Sequence, residues 1–304
     1  MTKLLISLPL LLIITFVFFS VIDRSDYALE KRAWSIDHQF EQLARDPNSI
    51  PEKRFNDLIS RYKALIAQYP SSKSISRLYA LLGNVYAVKG DLELSRSSYF
   101  EVLKRFPEQN VLCALSLTQI AGTYEKQNNE RGVLITFHRA ISDYPDTAEG
   151  LRAPLDIVNY ELRWGHQQKA AIALQEAEDY YKKKVLRSRD PALRFYTTGF
   201  LARTCLAEKH WKDALKAFKS LLIDYGQSPY MNQGIAAVIV RSIDQISVEK
   251  LNDPALAISI YSDYLKKFPH HPLSIILIQK IRYLKPVPVT FSYFDNKSVM
   301  LYFA

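Results

Sequence analysis

Few residues in this chain have the types and spacing that chemistry requires. Its six histidines are scattered, and the only adjacent pair, His270 and His271, stands between two prolines in the segment FPHHP. The sequence contains no H-E-x-x-H, G-x-S-x-G, P-loop or G-x-G-x-x-G motif, the patterns that bring a metal, a nucleophile or a phosphate to a site. Adjacent histidines in a loop between prolines are more often solvated than metal-bound. We therefore predict a protein that is not an enzyme and has no metal or cofactor site.

The positive charge is spread along the whole chain. The 304 residues include 40 basic and 31 acidic side chains, which gives a net charge of +9, and the only tight basic cluster is the KKK run at 182–184. A nucleic-acid-binding protein has a basic stripe together with a recognisable reader element. This distribution instead indicates a solvated surface, and we expect no nucleic acid among the partners.

The N-terminal segment is long and apolar enough to cross a membrane. Residues 4–22 carry no charge, and 19 residues at 1.5 Å rise span roughly 28 Å of hydrocarbon. The boundary FFSVIDRSDYA lacks the small-residue cleavage site of a secretory signal. Basic residues after the segment oppose export under the positive-inside rule, but long domains translocate largely regardless of flanking charge. We expect an uncleaved transmembrane signal anchor over residues 1–22 and a periplasmic or otherwise extracytoplasmic body.

The helices that position any binding residues can be located from a dipeptide that recurs where they end. An aromatic residue followed by proline ends four segments, at Pro70, Pro107, Pro145 and Pro269, and the first three prolines are 37 and 38 residues apart. Between these stops, apolar and small residues recur at helical spacing in two halves. The pattern predicts helical hairpins, each built from a first and a second helix and closed by a proline.

Gly83 shows how closely the two halves approach. It lies inside the first half of its segment, LYALLGNVYAVKGD, although glycine costs a helix about 1 kcal/mol relative to alanine. The segment resembles the tetratricopeptide repeat, whose first helix carries L-G-x-x-Y and whose second carries A-x-x-x-F-x-x-A and a final proline; Phe137 and Ala140 occupy the second-helix positions of the next segment. The resemblance implies that Gly83 lets the two helices pack closely and that Tyr86 fills the space beside it.

The resemblance implies an all-α fold, a right-handed superhelical solenoid of about five to six such hairpins over residues 51–284. A linker and capping helix precede it at 23–50, and a β-like tail follows it at 285–304. Repeats that end in YP or FP are also similar to those of exported tetratricopeptide proteins of bacterial envelopes.

Three dipeptides mark helix starts in the second half of the chain, because an N-cap residue is commonly followed by proline at the first helical position. These are Asp190–Pro191, Ser228–Pro229 and Asp253–Pro254. The second of them predicts a long helix from Pro229 to about Val248.

The two cysteines, Cys113 and Cys205, are too few for a disulfide framework and lack C-x-x-C spacing. They fall in the third and fifth repeats, and each repeat of a solenoid contacts only its neighbours. We predict two small buried side chains that do not form a disulfide.

In this family the first helices line a concave groove, and this groove is the candidate binding site. The repeat positions that face the groove in this family hold mainly basic residues here, with two amides and one aromatic. They are Arg77, Asn84, Arg152, Asn159, Arg163, Tyr196 and Arg203. The resemblance implies a protein partner with an acidic or carboxylate-bearing segment. Asn84 matches the asparagine of the family's carboxylate clamp, but Ala80 stands where the clamp has lysine. An alternative interpretation is that these residues form ordinary solvated helix faces.

The tail changes from helical to alternating periodicity. Val287, Val289, Phe291 and Tyr293 fall on one side, before a turn at residues 295–296. This pattern predicts a hairpin. Because an isolated hairpin is only marginally stable, we expect it to lie against the last helices or to add to a partner's sheet.

Together these features predict a non-enzymatic, membrane-anchored tetratricopeptide scaffold that assembles an envelope protein complex. The alternative is an accessory protein whose aromatic and basic groove binds glycan or an acidic polymer.

Overall fold

The computed structural model describes residues 26–45, 51–70 and 72–285. The predicted membrane anchor and the tail from residue 286 onward lie outside the described residues. Within the described ranges the chain is all-α, as expected, and no helix there is long and apolar enough to cross a membrane. The helices are α1 (Asp26–Ala44), α2 (Glu52–Gln68), α3 (Ile75–Lys89), α4 (Leu92–Arg105), α5 (Asn110–Lys126), α6 (Glu130–Asp143), α7 (Ala148–Arg163), α8 (Gln167–Arg187), α9 (Pro191–Ala207), α10 (Trp211–Tyr225), α11 (Gln233–Asp244), α12 (Pro254–Lys267) and α13 (Pro272–Leu284).

The chain divides into two compact units, and the boundary between them falls within the sequence of α8. Unit 1 comprises Met1–Ala173 and unit 2 comprises Leu174–Ala304. In unit 1, α1 packs on α2, α3 on α4 and α5 on α6; in unit 2, α9 packs on α10. Odd-numbered helices are therefore the first helices of hairpins and even-numbered helices the second. Among the described residues, α13 is a first helix that no second helix follows.

The turn inside four of the described hairpins, from α3–α4 to α9–α10, has one repeated geometry. A residue with positive φ ends the first helix, and the N–H of the next residue donates to a carbonyl five positions back, as in the Schellman cap. Glycine adopts this backbone conformation without a Cβ penalty, and asparagine adopts it at low cost. The positive-φ residues are Gly90, Asn128, Gly165 and Lys209. The bonds are Asp91 to Tyr86 (2.9 Å), Asn129 to Tyr124 (3.0 Å), His166 to Glu161 (2.9 Å) and His210 to Cys205 (2.8 Å).

The turn between hairpins also recurs, and it confirms that an aromatic residue followed by proline ends a helical segment. Tyr69, Phe106, Tyr144 and Phe268 each end a second helix, with φ between −134° and −122° and ψ between 49° and 61°. Proline disfavours the α conformation in the residue before it, while that residue's N–H still donates to the carbonyl four positions back. The local sequence alone thus ends these helices.

Gly83 lies at a close helix approach, as predicted, but the side chain that fills the space is different. A Cβ on Gly83 would lie 2.7 Å from Cε1 of Tyr99, on α4. The Ser95 hydroxyl, also on α4, donates to the Gly83 carbonyl at 2.8 Å. Tyr99 rather than Tyr86 therefore occupies the space beside the glycine, because the second helix presents its ring directly to α3.

Two of the three predicted helix starts are confirmed. Asp190 accepts hydrogen bonds from the N–H groups of Ala192 and Leu193, at 2.7 and 3.2 Å, and Asp253 accepts one from the Ala255 N–H at 3.1 Å. Both residues precede a proline at the first helical position.

The start predicted at Ser228–Pro229 is wrong. The Ser228 N–H donates to the Tyr225 carbonyl and the Met231 N–H to the Ser228 carbonyl, which makes this segment a turn. Helix α11 begins after Asn232, whose side chain accepts from the Ile235 N–H at 2.9 Å. The helix then continues as a π-helix over Gln245–Lys250, past the predicted end.

Both cysteines are buried, as predicted, and both are free thiols. Cys113 lies in unit 1, where its thiol donates to the Phe106 carbonyl at 3.3 Å. Burial raises the pKa of Cys205, in unit 2, to about 12, and the nearby Glu178 carboxylate acts in the same direction. A thiol with this pKa is protonated at neutral pH and behaves as a small core side chain.

Candidate interaction surface

In unit 1, the predicted groove residue Arg77 ties two first helices together. Its guanidinium on α3 donates to Glu30 at 2.9 Å and to Asp37 at 3.0 Å, both on α1. Asp37 is buried and also accepts a hydrogen bond from the Tyr62 hydroxyl. Burial raises the pKa of Asp37 above its usual value, although the Tyr62 hydrogen bond and the Arg77 charge oppose the rise. The charge of Arg77 is thus shared with two carboxylates of the same protein.

Arg163 makes a second tie of this kind, between α7 and α5. Its Nη2 donates to both carboxylate oxygens of Glu125, at 2.9 and 3.0 Å, and its Nε donates to one of them at 3.0 Å. Lys126 on α5 reaches back to the Ala87 carbonyl of α3 at 3.4 Å. The first helices of unit 1 are therefore linked in sequence by long basic side chains.

The other predicted groove residues of unit 1 differ in how free they are. Arg152 forms an ion pair with Asp156, one turn along α7, at 2.9 Å. Asn84 accepts a hydrogen bond from the Tyr99 hydroxyl at 2.6 Å, which fixes it within its own hairpin. Asn159 is exposed. The ion pairs of Arg77, Arg152 and Arg163 leave this surface much less positive than the sequence alone indicates.

In unit 2, the remaining predicted groove residues, Tyr196 and Arg203, line a cleft between α9 and α11. The cleft has a volume of about 450 Å³, and apolar side chains form most of its wall, including Phe200, Leu206 and Val238. Two features keep it open. Gly199 has no atom within 4 Å of the position where a Cβ would stand. The half-exposed Tyr196 ring is held edge-on against Phe195, with ring centroids 5.3 Å apart.

A second cleft, of about 540 Å³, lies between α11 and α13. Val240, Leu273 and Ile276 contribute apolar wall, and Arg241 lies at its side. The ion pair of Lys280 with Asp244 also lines it, and Asp244 is held by a hydrogen bond from the Tyr261 hydroxyl at 2.6 Å. Unit 2 thus presents two largely apolar clefts along its first helices.

Sequence reasoning missed the residues that α11 contributes to both clefts. Its sequence, QGIAAVIVRSID, is apolar on nearly every side except at its ends. A helix that is apolar all round is buried or meets another apolar surface. Val238 is 59% exposed although it is apolar, so this pattern was the available signal for a binding face.

One cluster among the described residues has the side chains of a metal site. Ligand atoms of Glu130, Glu161 and His166 lie within 4.8 Å of one another. Lys169 places its ammonium 2.6 Å from Glu130, and His166 Nδ1 lies 2.7 Å from the buried carboxylate of Glu161. The hydrogen bond between Lys169 and Glu130 raises the pKa of Lys169 and lowers that of Glu130. Lys169 and His166 thus already engage the two carboxylates of this cluster.

The two histidines of the FPHHP segment have different environments. His270 is exposed, as expected, but His271 is half-buried and caps α13. Its Nδ1 lies 2.8 Å from the Tyr264 hydroxyl and 3.3 Å from the Leu273 N–H. The expectation of two solvated histidines is therefore wrong for His271, because the proline after it starts a helix whose N-cap it becomes.

No family model matches this sequence, and no curated protein matches it. Several solved structures match this chain at low sequence identity. The anaphase-promoting-complex hetero-tetramer Cut9–Hcn1 shares 14% identity over 77% of this chain, at a TM-score of 0.35. A tetratricopeptide repeat protein from Parabacteroides merdae shares 13% identity over 81% of this chain and 86% of its own, at a TM-score of 0.35. The TPR2AB domain of yeast Sti1, in complex with pHSP90, shares 9% identity over 86% of this chain and 99% of its own, at a TM-score of 0.34.

The chain spans 40% of the length of the Cut9–Hcn1 chain that it matches. All three TM-scores lie below 0.5, so these structures do not by themselves define the fold of this chain. The description of the repeated hairpin depends on this chain's own turns and helix contacts.

Proposed function

We propose that this chain is a non-enzymatic adaptor of the tetratricopeptide type, which binds a segment of a protein partner along the first helices of unit 2. The observation that carries this proposal is the pair of apolar clefts between α9 and α11 and between α11 and α13. Exposed apolar surface of this kind is costly unless another molecule covers it, and it marks interaction sites. Helical repeats commonly use an extended surface of this type to bind partners.

The charges beside the clefts define the chemistry of the partner. Arg203 lines the first cleft and Arg241 the second, and both side chains are exposed. Neither makes an ion pair within residues 26–45, 51–70 and 72–285. A segment with apolar side chains that enter the clefts, flanked by Asp or Glu facing these arginines, fits both features. The proposed partner is therefore the acidic segment that the sequence predicts, with apolar side chains that enter the clefts.

The wall of the α9–α11 cleft favours a protein segment over the glycan alternative. A saccharide presents hydroxyl groups that need hydrogen-bond partners when they are buried. This cleft is lined mainly by carbon, with Arg203 and Ser242 among its few polar side chains. We further propose that residues 4–22 anchor the chain in a membrane, with the body on the extracytoplasmic side, where it assembles an envelope complex.

The test uses the full chain in lipid nanodiscs and a phage-displayed peptide library. The proposal predicts that enriched peptides carry apolar residues three or four positions apart beside Asp or Glu. It also predicts that Val238→Glu weakens the binding of a synthetic enriched peptide at least tenfold. The control is Ile172→Glu on α8, because Ile172 is 60% exposed and Val238 is 59% exposed. Equal losses in the two variants, or retention on polysaccharide in place of peptide, would overturn the proposal.

A further inference from the structure

The outer face of α13 is an apolar surface without the helix that covers the corresponding surface in other hairpins. Ile275 is 66% exposed and Ile278 is 40% exposed, whereas Leu277 and Ser274 point into the core. Ile275 and Ile278 are three positions apart, with Arg282 four positions further, so the three form one stripe on the helix. Neither isoleucine lines the clefts proposed to bind a partner.

The position of this stripe in the repeat indicates which kind of element packs on it. In unit 2, α10 packs on α9, and α12 packs on the π-helix that extends α11. After α13 the chain continues with Pro286 and Pro288. The alternating pattern of residues 287–293 predicts a strand, so the sequence favours an extended segment over a second helix at this place.

We propose that residues 286–304 of this chain fold back over the Ile275–Ile278 stripe and occupy the place that a second helix holds in the other hairpins. This inference is independent of the partner clefts. The segment has the required composition, since it carries two charged side chains, Asp295 and Lys297, and ten large apolar or aromatic side chains. These are Val287, Val289, Phe291, Tyr293, Phe294, Val299, Met300, Leu301, Tyr302 and Phe303.

The length and the tether both favour this segment over a separate molecule. Nineteen residues reach up to about 60 Å when extended, whereas the 13 residues of α13 span about 20 Å. The segment can therefore turn back and run along the whole helix. Because it is joined to α13 at Lys285, its effective concentration at the stripe is of millimolar order, as for a short flexible linker.

The charges on the two surfaces are complementary. Asp295 is the only acidic residue of the segment, and Arg282 is an exposed cation on the stripe. A segment that covers the stripe keeps the exposed end of a repeat array from associating with other molecules, which is the role of a capping element.

The first test places a photo-crosslinking amino acid at Ile278 in the full chain, held in lipid nanodiscs. Light and heavy isotope-labelled copies are mixed before illumination, and crosslinked peptides are identified by mass spectrometry. The proposal predicts crosslinks from position 278 to residues 286–304 within one isotope form, at least tenfold more abundant than from the same probe at Ile172, which is 60% exposed. Crosslinks only between light and heavy copies, only to lipid, or no more abundant than at Ile172 would overturn it.

The second test measures hydrogen exchange of the backbone amides in residues 286–304. Replacing Ile275 and Ile278 with aspartate is expected to speed this exchange at least tenfold, with exchange in α9 and α10 unchanged as the check on folding. Ile172→Asp and the cleft variant Val238→Glu are expected to leave it unchanged, which separates this inference from the proposed partner site. Residues 286–304 that exchange in the parent protein as fast as an unstructured peptide would overturn it.

Discussion

The two units use the same hairpin but differ on the surface that their first helices present. In unit 1, consecutive first helices pack directly on one another, α1 on α3, α3 on α5 and α5 on α7. Ion pairs from Arg77 and Arg163 cross these contacts. In unit 2, α9 and α11, and then α11 and α13, instead frame apolar clefts. Repetition of the backbone therefore does not fix the function of the surface, which depends on individual side chains and on the spacing of the helices.

The difference has a physical consequence for binding. Exposed ion pairs contribute little to stability, typically about 0–1 kcal/mol, but they satisfy charges that would otherwise attract a ligand. Apolar clefts have no such internal compensation, and their burial by a partner is favourable by about 25 cal/mol per Å². This difference is the reason that the proposed binding surface is placed in unit 2.

The largest expected effect tests whether both units depend equally on close packing at glycine. A Cβ would lie 2.7 Å from the Tyr99 ring at Gly83 in unit 1, and 2.5 Å from the Leu222 carbonyl oxygen at Gly226 in unit 2. We expect Gly83→Leu and Gly226→Leu each to lower the free energy of unfolding by about 1–3 kcal/mol or more, through overpacking. Urea denaturation measures the loss.

The controls for these variants are Gly122→Leu and Gly199→Leu, at positions where nothing lies within 4 Å of an added Cβ. Both glycines lie inside helices, so leucine is expected to be neutral or to stabilise by up to about 1 kcal/mol. Equal destabilisation by all four variants would contradict the packing described for Gly83 and Gly226.

The next effect tests whether charge matters more in unit 2 than in unit 1. Arg203→Glu is expected to weaken binding of an acidic, apolar peptide about tenfold, because Arg203 stands beside an apolar cleft that binding would dehydrate. Arg152→Glu with Arg163→Glu is expected to weaken it less than threefold, since both arginines already pair with carboxylates. Isothermal titration calorimetry at two salt concentrations measures both.

Lys216→Glu, on the second helix α10, serves as the control for diffuse electrostatics. Lys219 on the same helix is less suitable because it pairs with Asp263 at 2.7 Å. If Lys216→Glu weakens binding as much as Arg203→Glu, the partner does not bind in the cleft.

A smaller effect concerns acid sensitivity, which we expect to differ at two buried carboxyl groups. Burial opposes ionisation of Glu178 in unit 2, but hydrogen bonds from Lys182 and His210 outweigh it and lower its pKa. The stability from Glu178 is therefore complete above its unfolded-state pKa of about 4.3 and is lost as pH falls through the lower folded pKa. We expect the urea midpoint of the parent protein to fall between pH 5 and pH 3 more steeply than that of Glu178→Gln.

Asp37 in unit 1 has the opposite sign. Its pKa is raised by burial, so its contribution is complete below its unfolded-state pKa of about 3.9 and is lost as pH rises through the raised folded value. Asp37→Asn should therefore lose less stability than the parent protein as the pH is raised. Urea denaturation of Asp37→Asn and of the parent protein across this pH range measures the difference.

The smallest expected effect is on the ion pairs themselves. Arg152→Ala removes an exposed pair within one helix and is expected to change the free energy of unfolding by less than about 0.5 kcal/mol. Arg163→Ala removes a bidentate contact between α7 and α5, and we expect a loss of up to about 1 kcal/mol. Thermal unfolding of both variants beside the parent protein checks the order.

The sequence by itself determined the features that depend on neighbouring residues. Proline after an aromatic residue ended four of the second helices. Glycine, asparagine or lysine with positive φ closed the hairpin turns, and Asp190 and Asp253 capped their helices. These effects act within about five residues, so they can be read directly from the printed order of residues. The all-α class and the hairpin repeat followed from them.

The tertiary structure decided which of the predicted groove residues are available. Arg77 meets Glu30 and Asp37 across 47 and 40 residues, and Arg163 meets Glu125 across 38. No local pattern announces such partners, because they depend on how neighbouring hairpins are placed. The same holds for the clefts of unit 2. Tyr196 and Val238 line a cleft, the proposed binding surface, because α9 and α11 stand far enough apart to leave a cavity between them. That spacing is set by packing rather than by the order of residues along either helix.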